Sequence, residues 1–215
     1  MLDDGEDGLL AAALRALAPG RAAEEAYEDD LRHRALHVVP SRTACRRIVY
    51  TTKVDWLVYA LGWPDHAPDD VALVWRQCPV GRAHAPVVRA LVESCAAPVV
   101  FVGDLDPLDL ATYGTLARAL DGLPLRYAGV GNAWVRLCER HLSPTWTRLP
   151  CIPMSEDERQ AVTTAEADGL GWADLAGPRG MELLGEGLKL ELEGASNPGI
   201  YAPALAGEIA RLILE

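Results

Sequence analysis

The sequence predicts an open, mainly parallel α/β sheet with helices on both faces. Three observations carry that expectation. Apolar runs of strand length recur four times between residues 46 and 130, each followed by a segment of helical periodicity. One of them, Pro98–Val102, is apolar throughout, as a strand covered on both faces must be. The spacing between runs leaves room for one crossover helix each time, which is the connection parallel neighbours need.

Taken in order, Leu9–Leu17 (LLAAALRAL) reads as a helix closed by Ala18-Pro19-Gly20, and Ala22–Arg34 as a second helix with an acidic face. Ala35–Val39 is a short apolar segment stopped by Pro40. Arg46–Thr52 (RRIVYTT) is the first strand of the pattern, and Val54–Gly62 its helix, ended by Gly62-Trp63-Pro64. The strand Val71–Arg76 and the helix Ala83–Cys95 follow. Pro98–Val102 then runs into Gly103-Asp104-Leu105-Asp106-Pro107, with a helix beginning near Leu108. Leu123–Val130 is the fourth strand and Ala133–Leu142 its helix.

After residue 143 the rhythm changes. Pro144 and Pro150 mark a connection, and Ser155-x-x-Glu158 is a capping box opening a helix. Gly177–Gly180 is a turn and Pro178–Glu186 a short helix, while Lys189–Glu193 (KLELE) fits either a strand or a helix start. Pro203–Leu214 reads as a C-terminal helix. The expected organisation is an N-terminal helical segment (1–44), a Rossmann-like core (45–150) and a mainly helical extension packed on that core (151–215).

The 215 residues are half hydrophobic, with a mean hydropathy of +0.05, which is ample for one globular core. No apolar run approaches the roughly 20 residues of a membrane span, and the acidic start MLDDGEDG is the opposite of a signal peptide. Cys45, Cys78, Cys95, Cys138 and Cys151 are odd in number and never in C-x-x-C spacing. That argues against a zinc site and a disulfide framework, and predicts a reducing, cytoplasmic setting. Cys95 and Cys138 fall in helical patterns and read as core residues.

The net charge of -11 is unevenly placed. Residues 1–31 hold 9 acidic and 2 basic side chains, and residues 151–215 hold 12 and 4. Residues 32–150 hold 14 basic and 10 acidic ones. An acidic whole repels nucleic acid at long range, but the basic middle can still meet a phosphate backbone locally.

Asp104 and Asp106 are the strongest site signal. Ligands of parallel sheets bind beyond the carboxyl ends of the strands, where this pair falls. Residues i and i+2 of an extended segment point the same way, so both carboxylates can face one hard cation. The structural alternative is that they form a turn and the N-cap of the helix that Pro107 and Asp109 begin. No phosphate-binding Gly loop, H-E-x-x-H or G-x-S-x-G is present, so no organic cofactor is expected. The five histidines show no ligand spacing.

The stretch FVGDLDPLDLATYGTL resembles the D-x-D-P segment of Toprim domains, above all those of the topoisomerase VI A subunit and of the nuclease subunit of Wadjet plasmid-defence systems. The likeness extends over roughly residues 45–195. Val71–Cys95 matches the second strand and helix of that group, Leu125–Gly131 (LRYAGVG) its next strand, and Gly187–Ala195 (GLKLELEGA) its C-terminal K-x-E-x-x-A element. The resemblance implies Mg²⁺, or Mn²⁺, held by Asp104 and Asp106, and phosphodiester cleavage or transfer on nucleic acid. It also implies a DNA-maintenance or plasmid- or phage-defence complex, with a protein partner helping to bind the nucleic acid and no membrane involved. Arg46, Arg47 and Lys53 are the expected phosphate contacts. A D-x-D after a strand also occurs in haloacid dehalogenase-type phosphatases, a more distant alternative because Pro107 and Leu108 follow the motif here.

The sequence departs from the Toprim pattern at two places: Asp109 occupies the neighbourhood where Gly is expected a little after the D-x-D, and the end of the first strand differs. Where the first strand should end in Glu, it reads IVYTTKVDW, with Thr51 or Thr52 instead. Either a metal site is rebuilt from Asp55, Asp104, Asp106 and Asp109, or the chain is a catalytically degenerate scaffold that binds partners. Only about 45 residues precede the first strand, and Tyr27 lies in an acidic helix, so a self-contained topoisomerase is not expected. Asp104 and Asp106 converging with a third carboxylate on an open cleft would mark the catalyst. A salt bridge from Lys53 into the cleft would mark the scaffold.

Overall fold

In the computed structural model of the protein, the residues described are 36–63, 65–76, 84–195, 197 and 199–215. The two helices expected within residues 9–34 lie outside them. One five-stranded sheet organises the rest. Its strands are β1 (His37–Val39), β2 (Arg47–Thr51), β3 (Val71–Trp75), β4 (Val99–Val102) and β5 (Leu125–Tyr127), in the order β1-β3-β2-β4-β5. All neighbours are parallel except β1, which pairs antiparallel with β3. The α/β class read from the sequence is the class observed, with one addition. The apolar segment ending at Val39 becomes an edge strand, its His37 ring stacked on Trp75 at 5.0 Å.

The helices follow from strand alternation. In β2, Ile48 and Tyr50 face one side and Val49 the other; in β4, Val99 and Phe101 oppose Val100 and Val102. The Tyr50/Phe101 face is covered by α2 (Ala85–Cys95), through Val88 and Val92, and by Leu116 of α3 (Pro107–Ala119). The Val49/Val100 face is covered by Trp56 and Leu57 of α1 (Val54–Leu61) and by Trp134 and Val135 of α4 (Asn132–His141). Right-handed crossovers explain the division. The step from β2 to β3 moves one way along the sheet, whereas those from β3 to β4 and from β4 to β5 move the other way, so α1 and the pair α2/α3 land on opposite faces.

The C-terminal part continues this second core. Ser155 caps α5 (Glu156–Ala167), accepting from the Glu158 N–H at 3.2 Å while Glu158 Oε2 accepts from the Ser155 N–H at 2.7 Å, which is the capping box read from the sequence. The expected break near residue 177 is a kink within α6 (Trp172–Gly185), where Gly177 takes φ 67° just before Pro178. KLELE is neither wholly strand nor wholly helix. β7 (Leu188–Lys189) pairs with β6 (Ile152–Pro153), and the chain then turns into α7 (Leu192–Ala195). The last helix, α8 (Ala204–Leu214), buries Leu205, Ile209 and Ile213 in the core shared with α1 and α4. Arg126 donates to the carbonyls of Leu212 and Ile213, tying the end of α8 to β5. No helix among the described residues is long and apolar enough to cross a membrane.

β5 is shorter than the expected Leu123–Val130, although the chain stays beside β4. Ala128 N donates to Phe101 O, and Val130 N to Gly103 O. Gly103, directly after β4, has no room for a side chain. A Cβ there would stand 2.7 Å from both Asp109 Oδ2 and the Phe101 ring. Gly103→Ala is expected to destabilise by about 1–3 kcal/mol through this overpacking; urea denaturation checks it, and an unchanged midpoint would contradict the crowding.

Candidate metal centre

The first strand of the parallel set, β2, has β3 on one side and β4 on the other. The crevice of such a sheet opens where the order reverses, here at the carboxyl ends of β2 and β4. Strand register decides what meets there. Thr51 pairs with Val102, so Thr52 and Lys53 leave β2 beside Gly103 and Asp104 leaving β4. The two loops are far apart in sequence and adjacent in space.

Three carboxylates converge in this crevice. One oxygen from each of Asp104, Asp106 and Asp109 lies within 4.8 Å of the others, and the group can hold a divalent cation. All three are buried. Asp106 is the N-cap of α3, with Oδ1 accepting from the Asp109 N–H at 2.7 Å and Pro107 in the first turn, so its capping role and its place in the cluster coexist. Asp109 comes back from that first turn: its Oδ2 accepts from the Asp104 N–H at 2.7 Å and from the Thr52 hydroxyl at 2.9 Å. Thr51 accepts from the Lys53 N–H at 2.9 Å, which shapes the loop that delivers Lys53.

Both oxygens of Asp104 are engaged. Oδ1 accepts from the Leu192 N–H at 2.8 Å, and Lys53 Nζ lies 2.5 Å from Oδ2. Leu192 is delivered by the segment after β7, where Leu190 and Leu105 exchange backbone hydrogen bonds at 3.0 and 3.3 Å. The x of D-x-D thus pairs with the C-terminal segment, while the two aspartates on either side turn to the crevice. Lys189 sits at the margin, paired with Glu158 at 2.8 Å.

Burial is the largest influence on every carboxyl in the group, and it opposes ionisation. It raises Asp104 well above the usual range, with Asp109 adding to the rise and Lys53 opposing it. Asp106 is also raised by burial, against the pull of Lys53. Asp109 is pushed up to about 7 by burial and by Asp106. For Lys53, burial pushes the ammonium down, but Asp104 and then Asp109 outweigh it and hold it above its ordinary value. Tyr127, whose O–H donates to the Asp104 carbonyl at 3.2 Å, is kept protonated by burial and the neighbouring carboxylates.

The other expected site residues are elsewhere. Asp55 is exposed at the start of α1 and is not part of the cluster. Arg46 and Arg47 stand at the beginning of β2. At about 3.3 Å per residue they are roughly 20 Å from Lys53, at the opposite end of the sheet. Lys53 is at the site, but against a carboxylate rather than facing outward. The Leu192 amide and the Thr52 hydroxyl are participants that the spacing did not single out; a backbone donor leaves no mark in a sequence. No family model matches the chain, and no curated protein matches it.

Two outcomes follow from this geometry. Lys53→Met should cost about 3–5 kcal/mol, because it strands a buried carboxylate without its cation; chemical denaturation near pH 7 measures it, and a loss below about 1 kcal/mol would mean that Asp104 is neutral in the folded protein. The second concerns pH. Asp109 keeps its proton to about pH 7 when folded and gives it up near the ordinary carboxyl value when unfolded. The folded state therefore holds the extra proton between about pH 4 and pH 7, and this contribution to stability is lost as pH rises through that window. Asp109→Asn cannot ionise and can still accept both hydrogen bonds. It should come nearest to the wild type at about pH 4, draw ahead of it as pH rises towards 7, and melt several degrees higher at pH 8; thermal midpoints that fall in parallel for both proteins would refute the assignment.

Proposed function

We propose that this chain is a Toprim-like module of a nucleic-acid-processing assembly in which Lys53 stands in the place of the metal, so that the module positions partners rather than cleaving by itself. The observation that carries the reading is the Lys53–Asp104 ion pair, buried on the carboxylate side. The donor set matches a hard divalent ion in number and kind. It does not fit one while Lys53 holds Asp104 Oδ2 and the Leu192 N–H holds Oδ1. Where a Toprim catalyst has a further carboxylate, Thr51 and Thr52 spend their hydroxyls on the Lys53 amide and on Asp109. The acidic ends of the chain also suit protein partners better than bare nucleic acid.

The second reading is a Mg²⁺- or Mn²⁺-dependent phosphodiesterase, favoured by the D-x-D pair and by Asp109 as a third carboxylate beside it at the sheet's crevice. About a quarter of the Lys53 side chain is exposed, which gives it a way out of the cluster. With Lys53 withdrawn, Asp104, Asp106 and Asp109 would hold the ion, which supplies charge neutralisation at phosphorus and a more acidic water. The withdrawn ammonium would then meet a phosphate oxygen at the mouth of the site.

Calorimetry with Mn²⁺, paired with nicking of supercoiled plasmid, separates the two. The scaffold reading expects no Mn²⁺ binding and no nicking by the wild type, and a gain of binding of at least about tenfold in Lys53→Gln, where the resident cation is gone. Wild-type binding and nicking that both vanish in Asp104→Asn/Asp106→Asn would establish the enzyme instead. Binding by neither wild type nor Lys53→Gln would remove the idea that Lys53 replaces a metal.

A further inference from the structure

At the end of the sheet opposite the carboxylates, two cysteines 50 residues apart in sequence come together. Strand register brings them there: Ile48 of β2 pairs with Val99 of β4, and Ile48 N donates to Pro98 O at 3.0 Å. Cys45 lies three residues before Ile48, and Cys95 four residues before Val99, so both fall at the amino-terminal end of the adjacent strands β2 and β4. Their side chains pack against the same core cluster, and the two thiols are within hydrogen-bonding reach of each other. Cys45 Sγ also lies 3.3 Å from Arg47 O, which fixes its direction. Both thiols are free and only half-buried, so a small reagent can reach them.

Each sits where the backbone can give. Cys45 is in the connector before β2, and Cys95 is the last residue of α2, followed by Ala96 in the left-handed region at φ 49°. Neither belongs to a strand whose register would have to move. Burial, and then the neighbouring Cys45, raise the Cys95 thiol above its ordinary value; burial pushes the thiol of the fully buried Cys138 up to about 12, which leaves almost no thiolate there to react.

We propose that Cys45 and Cys95 are a modification site: a dithiol that closes to a reversible intramolecular disulfide by exchange with a low-molecular-weight disulfide such as oxidised glutathione. One thiol, as thiolate, attacks a sulfur of the reagent and forms a mixed disulfide, expelling one glutathione thiol. The second then attacks the protein sulfur of that mixed disulfide and expels the other. Two protein thiols lose two electrons and their protons, and one glutathione disulfide becomes two thiols. The closed form pins the end of α2 to the connector that leads into β2, and removes chain entropy from the unfolded state across a loop of about 50 residues.

The test equilibrates the full chain in glutathione redox buffers, alkylates the remaining thiols under denaturing conditions, and maps the peptides. The expected result in excess oxidised glutathione is protection of Cys45 and Cys95 together, a cross-linked peptide pair that reduction releases, and a thermal midpoint raised by roughly 5–10 °C. Cys45→Ser should lose both the cross-link and the rise, leaving Cys95 as a glutathione adduct. Alkylation of Cys45 and Cys95 that stays complete under the oxidising condition would overturn the proposal. So would a cross-link of either residue to a different cysteine. Peptide mapping of the wild type decides the matter even where a variant folds poorly.

Discussion

The attraction between one ammonium and a set of buried carboxylates is what the middle of this protein depends on. Asp104 has no exposed surface, and moving an isolated carboxylate to such a place costs several kcal/mol even after relaxation. Lys53 supplies the opposite charge, the Leu192 N–H a hydrogen bond, and Asp109, pushed up to about 7, limits how much negative charge the group carries near neutral pH. Without Lys53 or the Leu192 N–H, the buried Asp104 carboxylate is left without a partner it needs. The cluster is therefore a constraint on the loops after β2 and β4 and on the segment after β7 at once.

That constraint also explains why the C-terminal residues belong to the body of the protein. Leu190 pairs with Leu105 inside the D-x-D itself, and Leu192 reaches Asp104. The segment from Leu188 onward is thereby joined to the crevice through two backbone positions. Gly103 belongs to the same arrangement, since Asp109 occupies the space a side chain would need. The same residues thus serve packing, capping and charge balance. A metal-binding set and a structural set need not look different until the resident cation is identified.

Much of the architecture was legible in the chain because it rests on local pattern. Alternation in β2 and β4 sends side chains to two cores, and the capping box at Ser155 and the helix of residues 204–214 follow from short-range rules. The edge strand His37–Val39 was not legible as such, being short and dependent on β3 for its pairing. KLELE stayed ambiguous because its first residue, Lys189, ends a strand paired with Ile152–Pro153, a partner more than 30 positions away, while the chain beyond turns into α7. Of the candidate ligands, Asp104, Asp106 and Asp109 were within five residues of one another and came together. Asp55 shared a loop with Lys53 but points to solvent, and Arg46 and Arg47 fell at the wrong end of β2.

By itself, the sequence determined the α/β class, the order of its parallel strands along the chain and the position of the D-x-D after an apolar strand, since each depends on periodicity and on neighbours a few residues apart. Only the tertiary structure decided what faces that motif. The Lys53 ammonium, the Thr52 hydroxyl and the Leu192 amide reach the aspartates across separations of about 50, 57 and 88 residues, and the Cys45–Cys95 contact spans a comparable gap. The physical reason is strand register: which loop ends lie side by side is fixed by how β2 pairs with β4, and long-range pairing of that kind leaves no periodic signal in either strand alone.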